Sequence, residues 1–475
     1  MGKNKLANDE SGTKLIIGLA VLFLFILVLS YHFSGPAWDV IVHYLNAKSY
    51  LNNRFSQKDF FNIDINGWEI QQNTFYIEPI RDAMPSAIFV PLILIFHNPI
   101  LPYTIILYFI FVISIWFFSK ALKFDKLLSY CLILSPFFIY FSLLANSAEV
   151  LSVSFLLITL GFLYKKSPIS GLFLGLAALS KYPNLIFLPL LLFAGNRKKI
   201  VAAYSLFILI TIPWFAFNYI YYGNPLYAYL GSVSLNVTTS GPISIPVFPF
   251  LIGLFVPLVY LLIGLRDKFK GNLKLFQNEV KTRLMESEFT KIAILFSCLA
   301  ILGYFIIALH TDYFGQIRYS YLIYTSATLF ALIILQKEIK KNPKILKDIV
   351  IAAFLLLVIS FIVFYLEAVP YLSKVNVNSN SSVIRSSIFE LDSLGYQGCR
   401  VESNSWPYLI FLNQSAYSPL FLNNTVATEY PIIIFKLPNL GVNPSYFWNI
   451  NQSKLVYNGT NFSIFLPKEV TCIKG

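Results

Sequence analysis

The chain has 475 residues, of which 57% are hydrophobic, 17% are aromatic and only 12% are charged. A soluble globular fold cannot bury so much apolar surface, so this composition excludes an ordinary soluble enzyme or binding domain. The formal net charge of +13 does not indicate a nucleic-acid partner, because the basic residues cluster in short segments that flank long apolar runs.

The apolar runs predict a series of membrane spans, each near the roughly 20 residues that a helix needs to cross about 30 Å of hydrocarbon. The first, at about 14–33, is followed by no small-residue cleavage site, so we expect an uncleaved span. Basic clusters place the loops that contain them in the cytoplasm, by the positive-inside rule. Further spans are predicted at 99–118, 127–145, 150–164, 168–195, 200–220, 246–265, 290–309, 319–336 and 348–367.

Two segments do not fit a simple series of spans that cross the membrane in alternating directions. Acids outnumber bases in the long first loop, 34–98, which is therefore predicted to lie outside. Its one apolar stretch, Ala87–Phe96, is too short to cross and is expected to lie at the membrane interface. Segment 168–195 begins and ends beside cytoplasmic bases, so we expect two short helices that turn at Ser180–Asn184, where Pro183 disfavours a continuous helix.

The last part of the chain, 370–475, changes to strand-length apolar runs, and it predicts a small exterior α/β domain. Its expected helix is Ser382–Leu394. Its expected strands are Cys399–Val401, Ile432–Phe435 and Phe462–Leu466, the last preceded by a turn at Asn458-Gly459. Cys399 and Cys472 both lie in this segment, where an exterior location permits a disulfide between them, although their spacing does not require one.

Acceptor tripeptides for N-glycosylation occur only in segments predicted to be outside, which agrees with this topology. Chance occurrence in polar, Asn-rich segments is the alternative explanation. The sites are Asn236, Asn380, Asn413, Asn423, Asn451, Asn458 and Asn461.

Unusual polar residues gather at the outer ends of the spans. On a helix, Asp39, His43 and Asn46 share one face, which indicates either a site or the solvated side of an interfacial helix. Glu149 is expected at the outer end of a span, where a carboxylate also simply favours a helix N-terminus. Lys181 lies below the membrane surface, where an unpaired ammonium is costly, so it requires an anion.

Carboxylates and buried cations at the outer leaflet suit chemistry on a lipid-linked phosphosugar. Lys and Arg can bind the phosphate and stabilise it as it leaves, and a carboxylate can deprotonate an attacking hydroxyl. A basic pocket can equally bind an ordinary phospholipid, so the inference is not unique.

A series of short motifs follows one order along about 1–370. The motifs are Asp39 with His43 and Ala47-Lys48, Glu78-Pro79-Ile80-Arg81, Leu134-Ser135-Pro136 leading to Glu149, Gly171 to Tyr182, Pro213-Trp214 with Asn218, Tyr222 to Leu226, and Arg318-Tyr319. In this order they resemble those of the GT-C glycosyltransferases, particularly the branch of protein O-mannosyltransferases (glycosyltransferase family 39) and aminoarabinose transferases. The small exterior domain also resembles that of archaeal members.

The resemblance implies a transmembrane domain over 1–369 with about 11 spanning or half-spanning helices, and a small α/β domain over 370–475. It implies that Asp39 is the catalytic base or orients the acceptor, and that Glu149 is the second exterior acid, with Glu78 as a further candidate. Lys181 and Arg318 correspond to basic residues near the carrier phosphate, although the prolines that often follow the Arg-Tyr pair are absent. The substrate-binding candidates are His43, Lys48, Arg81, Lys181, Tyr182, Asn218, Tyr222, Arg318 and Tyr319.

The sequence-based hypothesis is therefore an inverting, multi-pass plasma-membrane transferase that moves one sugar from dolichyl- or undecaprenyl-phosphate to an exterior hydroxyl of a glycan, lipid or protein. It requires no cofactor, although Asp39 and Glu149 allow a divalent metal. A lipid or polysaccharide flippase is the alternative, and it predicts internal repeats and ionisable residues within the spans. A non-catalytic scaffold is the third, and it predicts that Asp39 and Lys181 are dispensable.

Overall fold

The protein is described here from a computed structural model. The structure describes part of 17–24, and then residues 38–51, 82–133, 148–230, 247–265, 289–308, 319–356, 378–411, 430–436 and 453–468, with 414, 416, 417, 470 and 472. The remaining residues include Glu78, Arg81 and Arg318, so three of the predicted site residues lie outside the described part.

The described helices of the first part form one apolar bundle with a continuous core. They are α1 (Trp38–Leu51), α2 (Ala83–Ile95), α3 (Ile100–Leu122), α4 (Lys126–Ile133), α5 (Ala148–Tyr164), α6 (Ile169–Ser180), a 3₁₀ helix (Tyr182–Phe193), α7 (Arg197–Tyr222), α8 (Val247–Leu265), α9 (Phe289–Ala308) and α10 (Tyr321–Lys341). Residues 344–356 are also helical.

Several of these helices coincide with the predicted spans. Ile100–Leu122, Arg197–Tyr222, Phe289–Ile307 and Tyr321–Lys341 are long and apolar enough to cross a membrane. All but the last residue of the predicted interfacial segment Ala87–Phe96 lie within helix α2, which begins at Ala83 and has 13 residues, and Phe96 follows its end. The chain is an integral membrane protein.

The predicted interruption at Ser180–Asn184 is present and is centred on Lys181. Lys181 has extended backbone angles (φ −154°, ψ 116°) between α6 and the following helix. That helix is 3₁₀ rather than α over its 12 residues. Pro183 near its start and Pro189 within it lack backbone N–H donors, which is a physical reason against a second regular α-helix.

Helices α6 and α7 approach each other closely through glycine. A Cβ atom at Gly171 would lie 1.8 Å from the carbonyl oxygen of Ala203, and one at Gly175 would lie 2.0 Å from a side-chain carbon of Ile210. Small residues four positions apart permit such contacts between membrane helices. The contact fixes α6, and with it the position of Lys181 at its end.

The described residues of the C-terminal domain (378–466) form a five-stranded sheet and two helices, α11 (Asn378–Ser393) and α12 (Trp406–Phe411). Its strands are β1 (Val401–Ser403), β2 (Ala416–Tyr417), β3 (Ile432–Phe435), β4 (Lys454–Asn458) and β5 (Phe462–Leu466), in the order β2-β1-β3-β5-β4. Strand β1 is parallel to β2 and β3, and β5 is antiparallel to β3 and β4.

The sequence identified this domain's class but not all of its elements. The helix near Ser382–Leu394 and strands β3 and β5 are confirmed. The first strand was placed too early, because β1 starts at Val401, and α12, β2 and β4 were not predicted. A disulfide joins Cys399 to Cys472, with 4.9 Å between their Cα atoms, so the permitted bridge is present.

Candidate functional site

A buried ion triad lies where the chain breaks between α6 and the 3₁₀ helix. The ammonium of Lys181 is 3.3 Å from Oδ2 of Asp82 and 3.2 Å from Oε1 of Glu149. Lys181, Asp82 and Glu149 are 7%, 8% and 3% exposed. The anion that the buried ammonium required is therefore a pair of carboxylates.

Three different elements bring these side chains together. Asp82 immediately precedes α2, and Glu149 lies in the first turn of α5. The extended backbone at Lys181 lets the next residue, Tyr182, donate its backbone N–H to Oδ1 of Asp82 at 3.2 Å. Asp82 is thus held through both of its oxygens, and the backbone contact fixes the turn.

The triad has two acids for one base, so it carries one net negative charge when all three groups are ionised. Burial raises the pKa of Asp82, against the opposing effects of the Lys181 ammonium and the Tyr182 N–H. Burying three ionisable groups together is costly in free energy. Groups with such shifted pKa values are common at functional sites, where the arrival of a charged ligand can change their protonation.

Helix α1 carries two of the predicted site residues, Asp39 and His43. His43 is 2% exposed, and its Nδ1 forms a 3.1 Å hydrogen bond with the hydroxyl of Ser86 on α2. The negative charges of Glu149, Asp39 and Asp82 all act on the buried phenol of Tyr103. The Tyr103 phenol is therefore within electrostatic range of all three carboxylates.

Four aromatic side chains next to Lys181 form a cluster, called the aromatic wall below: Tyr50, Tyr182, Trp214 and Phe217. The hydroxyl of Tyr182 accepts a 2.9 Å hydrogen bond from Nε1 of Trp214 on α7. Trp214 stacks on Phe217 with ring centroids 5.2 Å apart, and Tyr50 of α1 packs edge-on against Phe217 at 6.1 Å. The wall joins α1, the 3₁₀ helix and α7 next to Lys181.

Two polar atoms on α7 lie buried beside this wall without a hydrogen-bond partner in the described part of the protein. They are Oδ1 of Asn218 and the hydroxyl of Tyr222. Asn218 donates its amide to the carbonyl of Trp214 at 2.8 Å, so its orientation is fixed, and Tyr222 stacks on Tyr227 at 4.6 Å. Buried polar groups are seldom left unpaired, and a ligand is one way to satisfy them.

Comparison with known proteins fixes the fold. No protein-family model matches the sequence, and no curated protein matches it. The crystal structure of ArnT from Cupriavidus metallidurans bound to undecaprenyl phosphate is similar, with a TM-score of 0.60, 10% sequence identity, and coverage of 95% of this chain and 97% of that chain. The chain has the GT-C fold. An oligosaccharyltransferase from Archaeoglobus fulgidus in the apo form matches with a TM-score of 0.47 and 10% identity, over 95% of this chain and 75% of that chain.

The GT-C fold brings some of the predicted site residues together. Glu149 and Lys181 are in direct contact, and the charge of Asp39 reaches the Tyr103 phenol that Glu149 also reaches. Lys48 lies elsewhere on α1, with its ammonium 5.2 Å from the ring centroid of Tyr44.

The other predicted residues do not show whether the predicted site residues converge on one cleft. Tyr319 packs against the bundle core. Arg318, which was expected to complete the cleft, lies outside the described residues, as do Glu78 and Arg81.

Sequence reasoning missed Asp82 and Tyr103 as site residues. Asp82 ends the Glu78 to Asp82 segment and was counted only among the acids of the first loop. Its position directly before an apolar helix was a usable signal, since an acid there either caps the helix or enters a site. Tyr103, one of many aromatic residues in an apolar span, carried no distinguishing signal.

A metal site is not evident in the described part of this GT-C fold. No group of three or more His, Cys, Asp or Glu side chains gathers there. Asp82 and Glu149 are close enough to share a cation, but the Lys181 ammonium already occupies the position between them. Lys181 therefore already pairs with these two carboxylates, and no catalytic step is assigned to a metal ion.

Proposed function

We propose that the protein is a membrane glycosyltransferase that moves a single sugar from a polyprenyl-phosphate donor to an acceptor hydroxyl outside the membrane. The GT-C fold supports this proposal, as does the undecaprenyl phosphate bound in the similar ArnT structure. The motif order supports the branch of protein O-mannosyltransferases and aminoarabinose transferases. The acceptor is a glycan, lipid or protein.

The observation that carries the proposal is the buried triad of Lys181, Asp82 and Glu149. An anionic phosphate binds at Lys181 by competing with Asp82 and Glu149 for one ammonium. Burial raises the pKa of Asp82, which favours its neutral form. When Asp82 is neutral, Glu149 is the remaining carboxylate of the triad that neutralises the Lys181 ammonium, so the ammonium attracts a phosphate more strongly. The triad thus provides a cation for the donor without leaving an unpaired buried charge when no donor is bound.

In the proposed reaction, Asp39 takes the proton of the acceptor hydroxyl as its oxygen attacks the anomeric carbon. The bond from that carbon to the phosphate oxygen breaks, and the anomeric configuration inverts. The bond electrons leave with the carrier phosphate, whose growing negative charge is stabilised by Lys181. We assign Oδ1 of Asn218 and the hydroxyl of Tyr222, both buried without a partner in the described part of the protein, to hydroxyl groups of the sugar.

The proposed orientation puts the site and the C-terminal domain on the exterior side of the plasma membrane. The Cys399–Cys472 disulfide fits this placement, because disulfides persist in oxidising compartments. The acidic first loop and the basic loops on the other side fit it as well.

The test is transfer from a radiolabelled polyprenyl-phosphate sugar by the purified full-length protein, with the stereochemistry of the product determined. Asp39→Asn is expected to lower kcat by about 100- to 10,000-fold, as loss of a general base does. Asp125→Asn is the matched control. Asp125 caps α4 through the N–H of Leu128 at 2.9 Å, a role that Asn also fills, so turnover is expected to persist. Equal turnover in wild type and Asp39→Asn removes the base assignment, and movement of lipid-linked sugar across the membrane without transfer favours the flippase.

A further inference from the structure

Helix α1 is shared by two separate hydrophobic cores. Val40 and Ala47 belong to the core of the membrane bundle, whereas Ile41, Val42 and Leu45 belong to the core of the C-terminal domain. The three side chains that enter the C-terminal core are 0%, 0% and 2% exposed. Successive helical residues are about 100° apart, so the two sets occupy different faces of α1.

The third face of α1 carries the residues assigned to the site. Asp39, His43, Asn46 and Tyr50 follow the spacing that puts residues on one side of a helix. His43 on this face bonds Ser86 of α2. The rotation of α1 about its own axis therefore decides where the Asp39 carboxylate lies.

Helix α1 cannot fix that rotation by itself. It has 14 residues, and a helix of this length is marginal in isolation, so its stability comes from packing. The bundle holds one face, and the C-terminal domain holds another. Support from a single side would leave α1 free to rock about that contact.

The C-terminal domain contacts α1 through α12. Trp406 and Leu409 of α12 are 2% and 0% exposed in the shared core. Tyr408, between them, packs at the edge of that core. Burial raises the pKa of Tyr408, and the negative charge of Asp39 raises it further, which places its phenol within electrostatic reach of that carboxylate.

We propose that the C-terminal domain is part of the catalytic machinery: it holds α1 at one rotation, and Tyr408 is a positioning residue for the carboxylate of Asp39. The consequence for turnover rests on the proposed function, whereas the support of α1 does not. The described titratable groups on which the charge of Asp39 acts include Tyr103 on α3 and Tyr408 on α12, and His43 lies one turn along the same helix as Asp39.

Support of α1 is tested by hydrogen exchange of the full-length protein in lipid nanodiscs. Leu409→Ala removes a side chain from the shared core, and amides of 38–51 are expected to exchange about tenfold faster or more. Turnover is expected to fall about 10- to 100-fold in kcat with little change in KM, because the reacting groups are displaced. Leu409→Met keeps the side-chain volume and is expected to restore both.

The matched control is Ile434→Ala. Ile434 is also buried in the sheet, at 5% exposure, but it lies in a separate cluster that contains no residue of α1. Its truncation is expected to loosen the sheet and leave the exchange of 38–51 unchanged. Unchanged protection of 38–51 in Leu409→Ala, with faster exchange in the sheet, overturns the proposed support.

Positioning is tested by Tyr408→Phe, which keeps the ring in the core. We expect kcat to fall about tenfold and the acid limb of its pH profile to shift, as a change in the environment of a base requires. Tyr457→Phe, on the edge strand β4, is expected to change neither. An unmoved pH profile in Tyr408→Phe overturns the positioning role, whereas a wild-type protein that transfers no sugar refutes the proposed function and leaves the exchange result to stand on its own.

Discussion

The ammonium of Lys181 lies 3.2 Å from the carboxylate of Glu149, and both groups are buried. Asp82 is the second anion of the same ammonium, at 3.3 Å. Because the site has two acids and one base, loss of the base and loss of an acid are expected to have different effects. The first changes the stability of the protein, and the second changes its affinity for the donor.

Loss of the base is expected to destabilise the protein. Lys181→Gln leaves two carboxylates buried without their counter-ion, which typically costs about 3–5 kcal/mol. Adding Asp82→Asn to Lys181→Gln removes one of the stranded charges and is expected to recover part of that loss. Thermal unfolding of the single and double variants measures both effects, and equal midpoints for wild type and Lys181→Gln contradict the triad as a coupled unit.

Loss of one acid is expected to strengthen donor binding. Asp82→Asn removes a competitor for the Lys181 ammonium, so KM for the lipid-linked donor is expected to fall several-fold. In wild type, Asp82 is neutral below its raised pKa and ionises as pH rises through it, so KM is expected to rise over that interval. Steady-state kinetics at a series of pH values measure KM for the donor in wild type and in Asp82→Asn. A KM that varies identically with pH in wild type and Asp82→Asn excludes Asp82 as the titrating group.

The sequence could predict the spans and the interruption at Lys181 because both depend on local features, namely apolar run length and Pro183. It could not place Asp82 against Tyr182, because that contact joins residues 100 positions apart and depends on how α2 and α6 pack. The sequence also could not predict that α1 contributes residues to two cores, because this too depends on contacts between distant parts of the chain. Ile41 and Val42 are equally apolar in either core, and only the tertiary arrangement decides which one they enter.

The unpaired hydroxyl of Tyr222 provides a third prediction. Tyr222→Phe removes a buried polar atom that has no partner in the described structure, so stability is expected to stay the same or to increase slightly. If that hydroxyl binds the sugar, KM for the donor rises about tenfold. Tyr324→Phe is the matched control, because the Tyr324 hydroxyl donates to the carbonyl of Leu132. This control is expected to lose about 1 kcal/mol of stability and keep its KM. An unchanged KM in Tyr222→Phe removes Tyr222 from the sugar site.

Metal removal provides a fourth prediction. In the proposed reaction, the Lys181 ammonium supplies the positive charge that stabilises the leaving phosphate. Prolonged dialysis against EDTA is therefore expected to leave the transfer rate within about twofold of the untreated enzyme. Loss of activity on chelation, with recovery when Mg²⁺ or Mn²⁺ is returned, contradicts the metal-free mechanism.

The buried acid Glu402 makes the C-terminal domain sensitive to pH. Glu402 on β1 is 2% exposed, and its Oε2 has no hydrogen-bond partner among the described residues. Burial raises the pKa of Glu402 to about 8, against about 4.3 in an unfolded chain. The folded domain therefore binds this proton more tightly, and its stability is expected to fall by about 1.4 kcal/mol per pH unit between those values.

Glu402→Gln is expected to abolish this slope and to be more stable than wild type at alkaline pH. Glu390→Gln on α11 changes an acid outside the sheet and is expected to keep the wild-type slope. The opening free energies of β1, β3 and β5, from hydrogen exchange of the full-length protein corrected for intrinsic rates at each pH, provide the measurement. An identical slope in wild type and Glu402→Gln assigns the pH dependence to another group. Because this sheet shares one core with α12 and α1, a slope that does vanish in Glu402→Gln predicts that protection of 38–51 also becomes independent of pH over this interval.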